Sequence, residues 1–365
     1  MSTTSRSTEA DSLLTQGLPY PETFAVLRAL LSEGVTTFLC GSPGIGKSAL
    51  ARDLAQEMAL PLYDIRLAQC EPAEIAGVHF PDRKTGTLRV YPPAWLPALC
   101  DGPGFLFLDE LNAPGLTRLH QATALQLTLD RRLGDLALHP KTVILAAGNS
   151  ADDHAYVTPL SRALSNRFAH VRLRVDADAW LQWGSANHIC PQILAFIGQA
   201  GADSLYRNDG NDAFPSPRTW AMASRMLATK EEPKDARTLL AACIGPRATE
   251  EFLSFLQIYE RIDPVKVIEK GKRVDFTTRK RREPSFVYAS VFAVADWICR
   301  QDSLDASSLE HIVRFISSPG LHEEMQFLFL RQLYAQTDLI DRLKSLESYR
   351  ELSQDMVRVY LELYR

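Results

Sequence analysis

The eight residues Gly41-Ser42-Pro43-Gly44-Ile45-Gly46-Lys47-Ser48 constrain the fold of this chain more than any other segment. They fit the pattern G-x-x-x-x-G-K-[ST], in which glycines let backbone N–H groups turn inward around phosphate oxygens. In such a loop Lys47 reaches the β- and γ-phosphates and the Ser48 hydroxyl binds Mg²⁺. Lys47 is therefore expected near solvent and free of core contacts. The flanks agree with the loop. Val35–Cys40 reads as a buried strand, and Ser48–Ala55 reads as a helix whose N-terminus faces the anion. Ala49, in its first turn, completes the predicted nucleotide-binding set.

Further along the chain, five short apolar runs alternate with helix-like segments. They are Val35–Cys40, Leu62–Leu67, Gly104–Leu108, Thr142–Ala147 and Ala169–Val175. This alternation predicts an α/β fold with a five-stranded parallel sheet. After Asp176 amphipathic helical patterns dominate, as in Arg237–Ala242, Glu250–Ile262 and Leu309–Ile316. With 46% apolar residues, the 365-residue chain can bury a sizeable core, and its length suggests two or three domains.

Several function classes are disfavoured by composition. The net charge of −4 gives no global field for nucleic acid or an anionic membrane. The six cysteines are widely spaced, with no C-x-x-C pair, which argues for small core residues in a reducing compartment. Met1–Asp11 is polar and lacks a secretory apolar core, and no apolar run approaches a membrane span. A soluble, cytoplasmic protein is expected. One segment runs against the overall charge: Lys270, Lys272, Arg273, Arg279, Lys280, Arg281 and Arg282 crowd the stretch before Pro284. It reads either as a solvated linker or as a docking patch for acidic protein or nucleic acid.

A second nucleotide signature follows the loop. Phe105–Glu110 is an apolar strand ending in two carboxylates. Asp109 is suited to hold a Mg²⁺ shell, and Glu110 to polarise an attacking water. A third apolar strand ends in Ala146-Ala147-Gly148-Asn149, where Asn149 can orient water beside a γ-phosphate.

Together with Leu108-Asp109-Glu110-Leu111-Asn112, Leu164-Ser165-Asn166-Arg167-Phe168 and Pro215-Ser216-Pro217-Arg218, these segments resemble the MoxR branch of the AAA+ ATPases, also grouped with dynein-related AAA domains. The resemblance covers residues 20–262. It implies an αβα sandwich followed by an all-α lid and a helical C-terminal region. The implied divisions are a disordered tail at 1–15, a nucleotide-binding core at 16–175, a lid at 176–262, a basic linker at 263–285 and a helical region at 286–365. Lys47 and Ser48 would be the Walker A lysine and serine, Asp109 and Glu110 the Walker B pair with Glu110 the catalytic base, and Asn149 sensor 1. Arg218 would be sensor 2. Arg167 would be the arginine finger that reaches a neighbouring subunit's ATP, with Arg162 a nearby second candidate.

The resemblance further implies ATP and Mg²⁺ as ligands, a homo-oligomeric ring, hexameric in relatives, and remodelling of a protein client. A von Willebrand factor A domain protein would act in trans. Two segments resemble family insertions that face the pore or the client: Glu71–Gly77 through Tyr91-Pro92-Pro93, with a hairpin turn at Asp82–Thr87, and the hairpin Asp130–Leu136. The chain departs from the MoxR pattern at Asp130 and at Asn112-Ala113-Pro114. A rival reading is a nucleic-acid motor or regulator of a DNA-cutting complex, since McrB-like GTPases share the Asp-Glu-Leu/Ile-Asn pattern.

Overall fold

A computed structural model describes residues 16–84, 86–150, 157–228, 236–334 and 336–353. The tail expected to be disordered, 1–15, lies outside the described residues. Two compact units divide the chain. The first ends at Ala179 and also includes Ser216–Arg218, while the second comprises Trp180–Pro215 and everything from Thr219.

In the first unit the strands are β1 (Thr37–Cys40), β2 (Leu62–Arg66), β3 (Val78–Asp82), β4 (Thr87–Tyr91), β5 (Phe105–Asp109), β6 (Arg132–Leu133), β7 (Leu136–Ala137), β8 (Val143–Gly148) and β9 (Ala169–Arg172). Five of them form one parallel sheet in the order β2-β5-β8-β1-β9. Each predicted run contributes one strand, with ends shifted by a few residues. All of β5 and β8 is buried, so both faces of the sheet are covered, as parallel strands require. Leu27 and Leu31 of the helix Tyr20–Ser32 and Leu50 and Leu54 of the helix Lys47–Glu57 are buried beside it.

Register decides where chemistry can happen. Cys40 pairs with Gly148, and Leu108 pairs with Ala146. The residues that follow, Gly41, Asn149 and Glu110, therefore leave the sheet along one carboxyl edge, where open α/β sheets bind ligands.

Two hairpins project from this framework. In β3–β4, Val78 lies opposite Tyr91 and Phe80 opposite Arg89. Its turn closes where the Gly86 N–H donates to the Asp82 carbonyl (2.9 Å). Phe80, Leu88 and Tyr91 are more than half exposed, and Phe80 meets Tyr91 edge to face at 5.4 Å. The shorter β6–β7 hairpin follows a π-turn at Gln126–Asp130. There the Arg131 guanidinium donates to the Thr142 carbonyl, and burial lowers its pKa.

Helices alone make up the second unit among the described residues. The segments Arg237–Ala242, Glu250–Ile262 and Leu309–Ile316 fall within helices Ala236–Ile244, Pro246–Tyr259 and Ala306–Ile316, the second of which stops short at Tyr259. Phe196, Trp220 and Phe252 pack ring against ring, with centroids 5.5–5.7 Å apart. The most apolar helix, Pro284–Cys299, is buried continuously over Ala289–Ala295 and packs against Pro191–Ala200 and Glu323–Leu333. Among the described residues no helix is long and apolar enough to cross a membrane.

Candidate functional site

Between β1 and the helix Lys47–Glu57, the loop needs backbone that L-residues rarely adopt. Gly44 has φ +78° and Gly46 has φ +108°, the left-handed region that glycine enters without a Cβ penalty. Gly46 also starts the helix, accepting from the Leu50 N–H at 2.9 Å.

Against the expectation of a solvent-facing ammonium, Lys47 is buried, with only 8% of its surface exposed. Its Nζ donates to the carbonyls of Gly41 (2.7 Å) and Ser42 (2.8 Å) and to Asn149 Oδ1 (2.9 Å). The reason is physical: a cation leaves water only where acceptors replace its hydration. An ammonium has three donors, and the loop and the end of β8 together present three acceptors.

On the other side of the loop, Ser48 Oγ donates to Asp109 Oδ2 at 2.9 Å. The second carboxylate oxygen, Oδ1, accepts from the Glu110 N–H at 2.8 Å. A hydroxyl and a carboxylate this close are the hard oxygen donors that Mg²⁺ takes, and Mg²⁺ needs few of them from protein. The residues present fit that ion.

Glu110 is half-buried and sits at φ +60°, left-handed backbone in a non-glycine residue. Such conformations cost about 1–2 kcal/mol and persist where the surroundings fix them. Here the fixing bonds are the one to Asp109 and the Leu111 N–H to the Ala147 carbonyl (2.9 Å).

Asn112 belongs to this network, and sequence reasoning assigned it no role. Its Nδ2 donates to the Asn149 carbonyl (2.8 Å), and its Oδ1 accepts from the Asn149 N–H (2.9 Å). The side chain fits because Gly148 lacks a Cβ, which would fall 2.4 Å from Asn112 Oδ1. The signal was present in Asp109-Glu110-Leu111-Asn112, where the asparagine falls just past the strand end. Asp64, on the neighbouring β2, is another nearby carboxyl. Burial raises its pKa, and the charge of Asp109 adds to the rise while Arg66 opposes it.

Arg218, the second residue of the helix Pro217–Ala228, lies over the loop. Its N–H donates to the Gly44 carbonyl at 3.3 Å, and a Cβ on Gly44 would meet Ser216 Oγ at 3.0 Å. From the opposite end, Tyr20 braces the loop's helix: its hydroxyl donates to Asp53 Oδ2 at 2.6 Å. Burial pushes the Tyr20 hydroxyl well above its ordinary pKa, and the bond to Asp53 adds to this.

The structure thus gathers Gly41–Ser48, Asp109, Glu110, Asn149 and the backbone of Arg218. Ala49 follows in the same helix. Arg162 and Arg167 stand outside this network. Both are exposed around the short helix Arg162–Ser165, and neither side chain forms a hydrogen bond or ion pair among the described residues.

Residues 37–173 match the model of the ATPase family associated with various cellular activities (AAA). Over 156 residues the chain is 31% identical to the ATP-dependent zinc metalloprotease FtsH of Nitrosococcus oceani, covering 39% of this chain and 22% of that protein. Over 148 residues it is 31% identical to the ATP-dependent zinc metalloprotease FtsH 3 of Sphaerobacter thermophilus, covering 38% and 28%. A solved structure of a Thermotoga maritima RuvB mutant aligns at 14% identity with a TM-score of 0.38, over 80% of this chain and 86% of that one. The chain spans less than a third of the length of the curated relatives it matches. Residues 37–173 are an ATPase domain of the AAA family, running from the first residue of β1 to just past β9.

The left-handed backbone at Glu110 has a measurable consequence. Glu110→Gly is expected to be more stable than Glu110→Ala by about 1 kcal/mol, because only glycine occupies φ +60° without strain. Urea unfolding of the two variants measures the difference. A glycine variant no more stable than the alanine variant contradicts the strained conformation.

Proposed function

We propose that this AAA domain couples ATP binding and hydrolysis, within an oligomeric ring, to the remodelling of a protein client. One observation carries the proposal: Lys47, Ser48, Asp109 and Asn149 come from three different strand ends and meet in pairs, Lys47 with Asn149 and Ser48 with Asp109, through hydrogen bonds of 2.9 Å. Lys47 and backbone N–H groups of the loop Gly41–Ser48 bind the phosphates. Ser48 and Asp109 would hold Mg²⁺, which would supply neutralisation of the phosphate charge. Glu110 takes the proton of the attacking water, and Asn149 orients that water. Arg218, placed over the loop, senses the nucleotide.

Charge on the transferring phosphoryl group also calls for a cation beyond Lys47, and Arg162 and Arg167 stand exposed outside this chain's own network. Arg167, with Arg162 as second candidate, supplies it from a neighbouring subunit, as a trans arginine does in other phosphoryl-transfer enzymes. Hydrolysis then depends on assembly, in a ring that we place at six subunits by resemblance to the MoxR branch. The same resemblance supports a von Willebrand factor A domain partner in trans. The exposed Phe80, Leu88 and Tyr91 of the β3–β4 hairpin offer the client an apolar contact. The rival reading, a nucleic-acid motor of McrB type, draws support from the basic run Lys270–Arg282. Nucleotide-stimulated DNA binding at physiological salt would favour it.

Glu110→Gln is expected to bind ATP while its turnover falls by about 10²-fold or more, since the Mg²⁺ ligand Asp109 remains and the base is gone. Wild-type turnover in this variant, measured by phosphate release, sinks the role given to Glu110.

Mixing variants tests the trans arginine. Arg167→Ala and Lys47→Ala are each expected to be inactive, and a mixture is expected to recover part of the activity. An interface between an intact loop and an intact arginine is then restored. If co-assembled mixtures recover nothing while mixtures of Arg162→Ala with Lys47→Ala do, the finger is Arg162.

A further inference from the structure

We infer that the loop Lys270–Arg282 and the helix Ala306–Ile316 form a docking surface for an acidic segment of a protein partner. This surface lies wholly within the second unit, far along the chain from the nucleotide residues, and the inference stands without the hydrolysis proposed above.

The loop is fixed rather than a slack connection. Phe276, at its centre, is fully buried between Phe286 and Phe315, with ring centroids 6.1 Å from each. Its N–H donates to the Pro319 carbonyl at 2.8 Å, and the Lys272 N–H donates to the Lys266 carbonyl at 2.9 Å. On the facing helix, His311 Nδ1 is 2.6 Å from the Ile268 carbonyl. The backbone of this loop is therefore held, which lowers the entropy cost of ordering it on binding.

What it presents is an excess of positive charge. Between Lys270 and Arg282 stand seven basic residues and one acid, Asp275, in a chain of net charge −4. Six of the seven are exposed, and so is Arg314 on the facing helix. Not one of these eight forms an ion pair among the described residues. Asp275 Oδ1 accepts from the Thr277 N–H (2.9 Å) and hydroxyl (2.6 Å), and Asp263 pairs with Lys266, so the acids that feel Arg281 and Lys270 also have other partners. Lys272, Arg273, His311 and Arg314 line one recess floored by Val267 and Phe315. Two guanidinium groups and an ammonium around an apolar floor suit a carboxylate, which arginine binds in bidentate fashion. The run Arg279–Arg282 extends the positive surface along the same loop.

Nucleic acid fits this surface less well. Sequence-independent binding of single strands uses exposed aromatic rings for stacking, and the loop's one aromatic, Phe276, is buried. Glu269 and Glu283 are exposed at its two ends, which disfavours a continuous phosphate track and allows an acidic peptide with gaps between its charges.

The test uses fluorescence anisotropy of a labelled poly-glutamate peptide on the full chain at physiological salt, with single-stranded and duplex oligonucleotides run in parallel. The peptide is expected to bind, and to bind more weakly as salt rises. Arg273→Gln with Arg314→Gln is expected to weaken it on the order of tenfold or more, the scale of lost hydrogen bonds to charged groups. Arg28→Gln, on the first unit, is expected to change nothing, and Arg273→Lys with Arg314→Lys to retain part of the affinity. Unchanged melting temperatures confirm that the exposed substitutions leave the fold intact. The inference is overturned if the peptide does not bind, if the glutamine pair binds it like the wild type, or if an oligonucleotide binds more tightly through the same residues. That last result would assign the surface to nucleic acid.

Discussion

Burying one ammonium organises this site. Lys47 is out of water, and the free-energy cost of that is offset only if acceptors surround it. Two come from the loop that carries the lysine, which forces those carbonyls inward. The third is Asn149 Oδ1, which makes the loop depend on β8 ending where it does. Asn149 is in turn held on both backbone groups by Asn112, from the segment after β5. One buried charge thus ties together β1, β5 and β8, the three adjacent strands whose register already aligns their ends.

The same arrangement separates two jobs. Lys47 shares a hydrogen bond with Asn149, while Ser48 and Asp109 share one suited to a hard cation. Glu110 follows directly, turned by its left-handed backbone away from the strand direction of Asp109. Adjacent carboxylates therefore differ in environment: Asp109 is buried and held by two donors, whereas Glu110 is half-buried. On the proposed reading, this difference in backbone geometry is what would let neighbouring residues serve as a metal ligand and a base.

Much of this was legible in the sequence because it rests on local pattern. The apolar runs at 35–40, 104–108 and 142–147 mark strands, and the loop's glycines mark left-handed turns, with no need for tertiary information. Asp109 could be placed because it directly follows an apolar run, and Asn149 because it follows one after a single glycine. What escaped is what distant residues decide together. Burial of Lys47 requires acceptors supplied from Asn149, and the clamp by Asn112 works only because Gly148 leaves room for it. The φ of Glu110 has no composition signal, since glutamate is not a left-handed residue by preference. The loop before Pro284 reads as a linker from its charge, yet one phenylalanine, Phe276, buries itself and fixes it. A single apolar residue in a basic run is too small a signal for periodicity to register.

The central claim is that Lys47 and the loop around it bind the phosphates of ATP. Isothermal titration of the wild type and of Lys47→Ala with ATP in the presence of Mg²⁺ tests it most directly. On this account the wild type binds, and the variant keeps its fold by circular dichroism while its affinity falls by on the order of tenfold or more, as expected for loss of a charge-assisted contact. Equal affinities in the two proteins would contradict it, and would place the nucleotide somewhere other than the loop Gly41–Ser48.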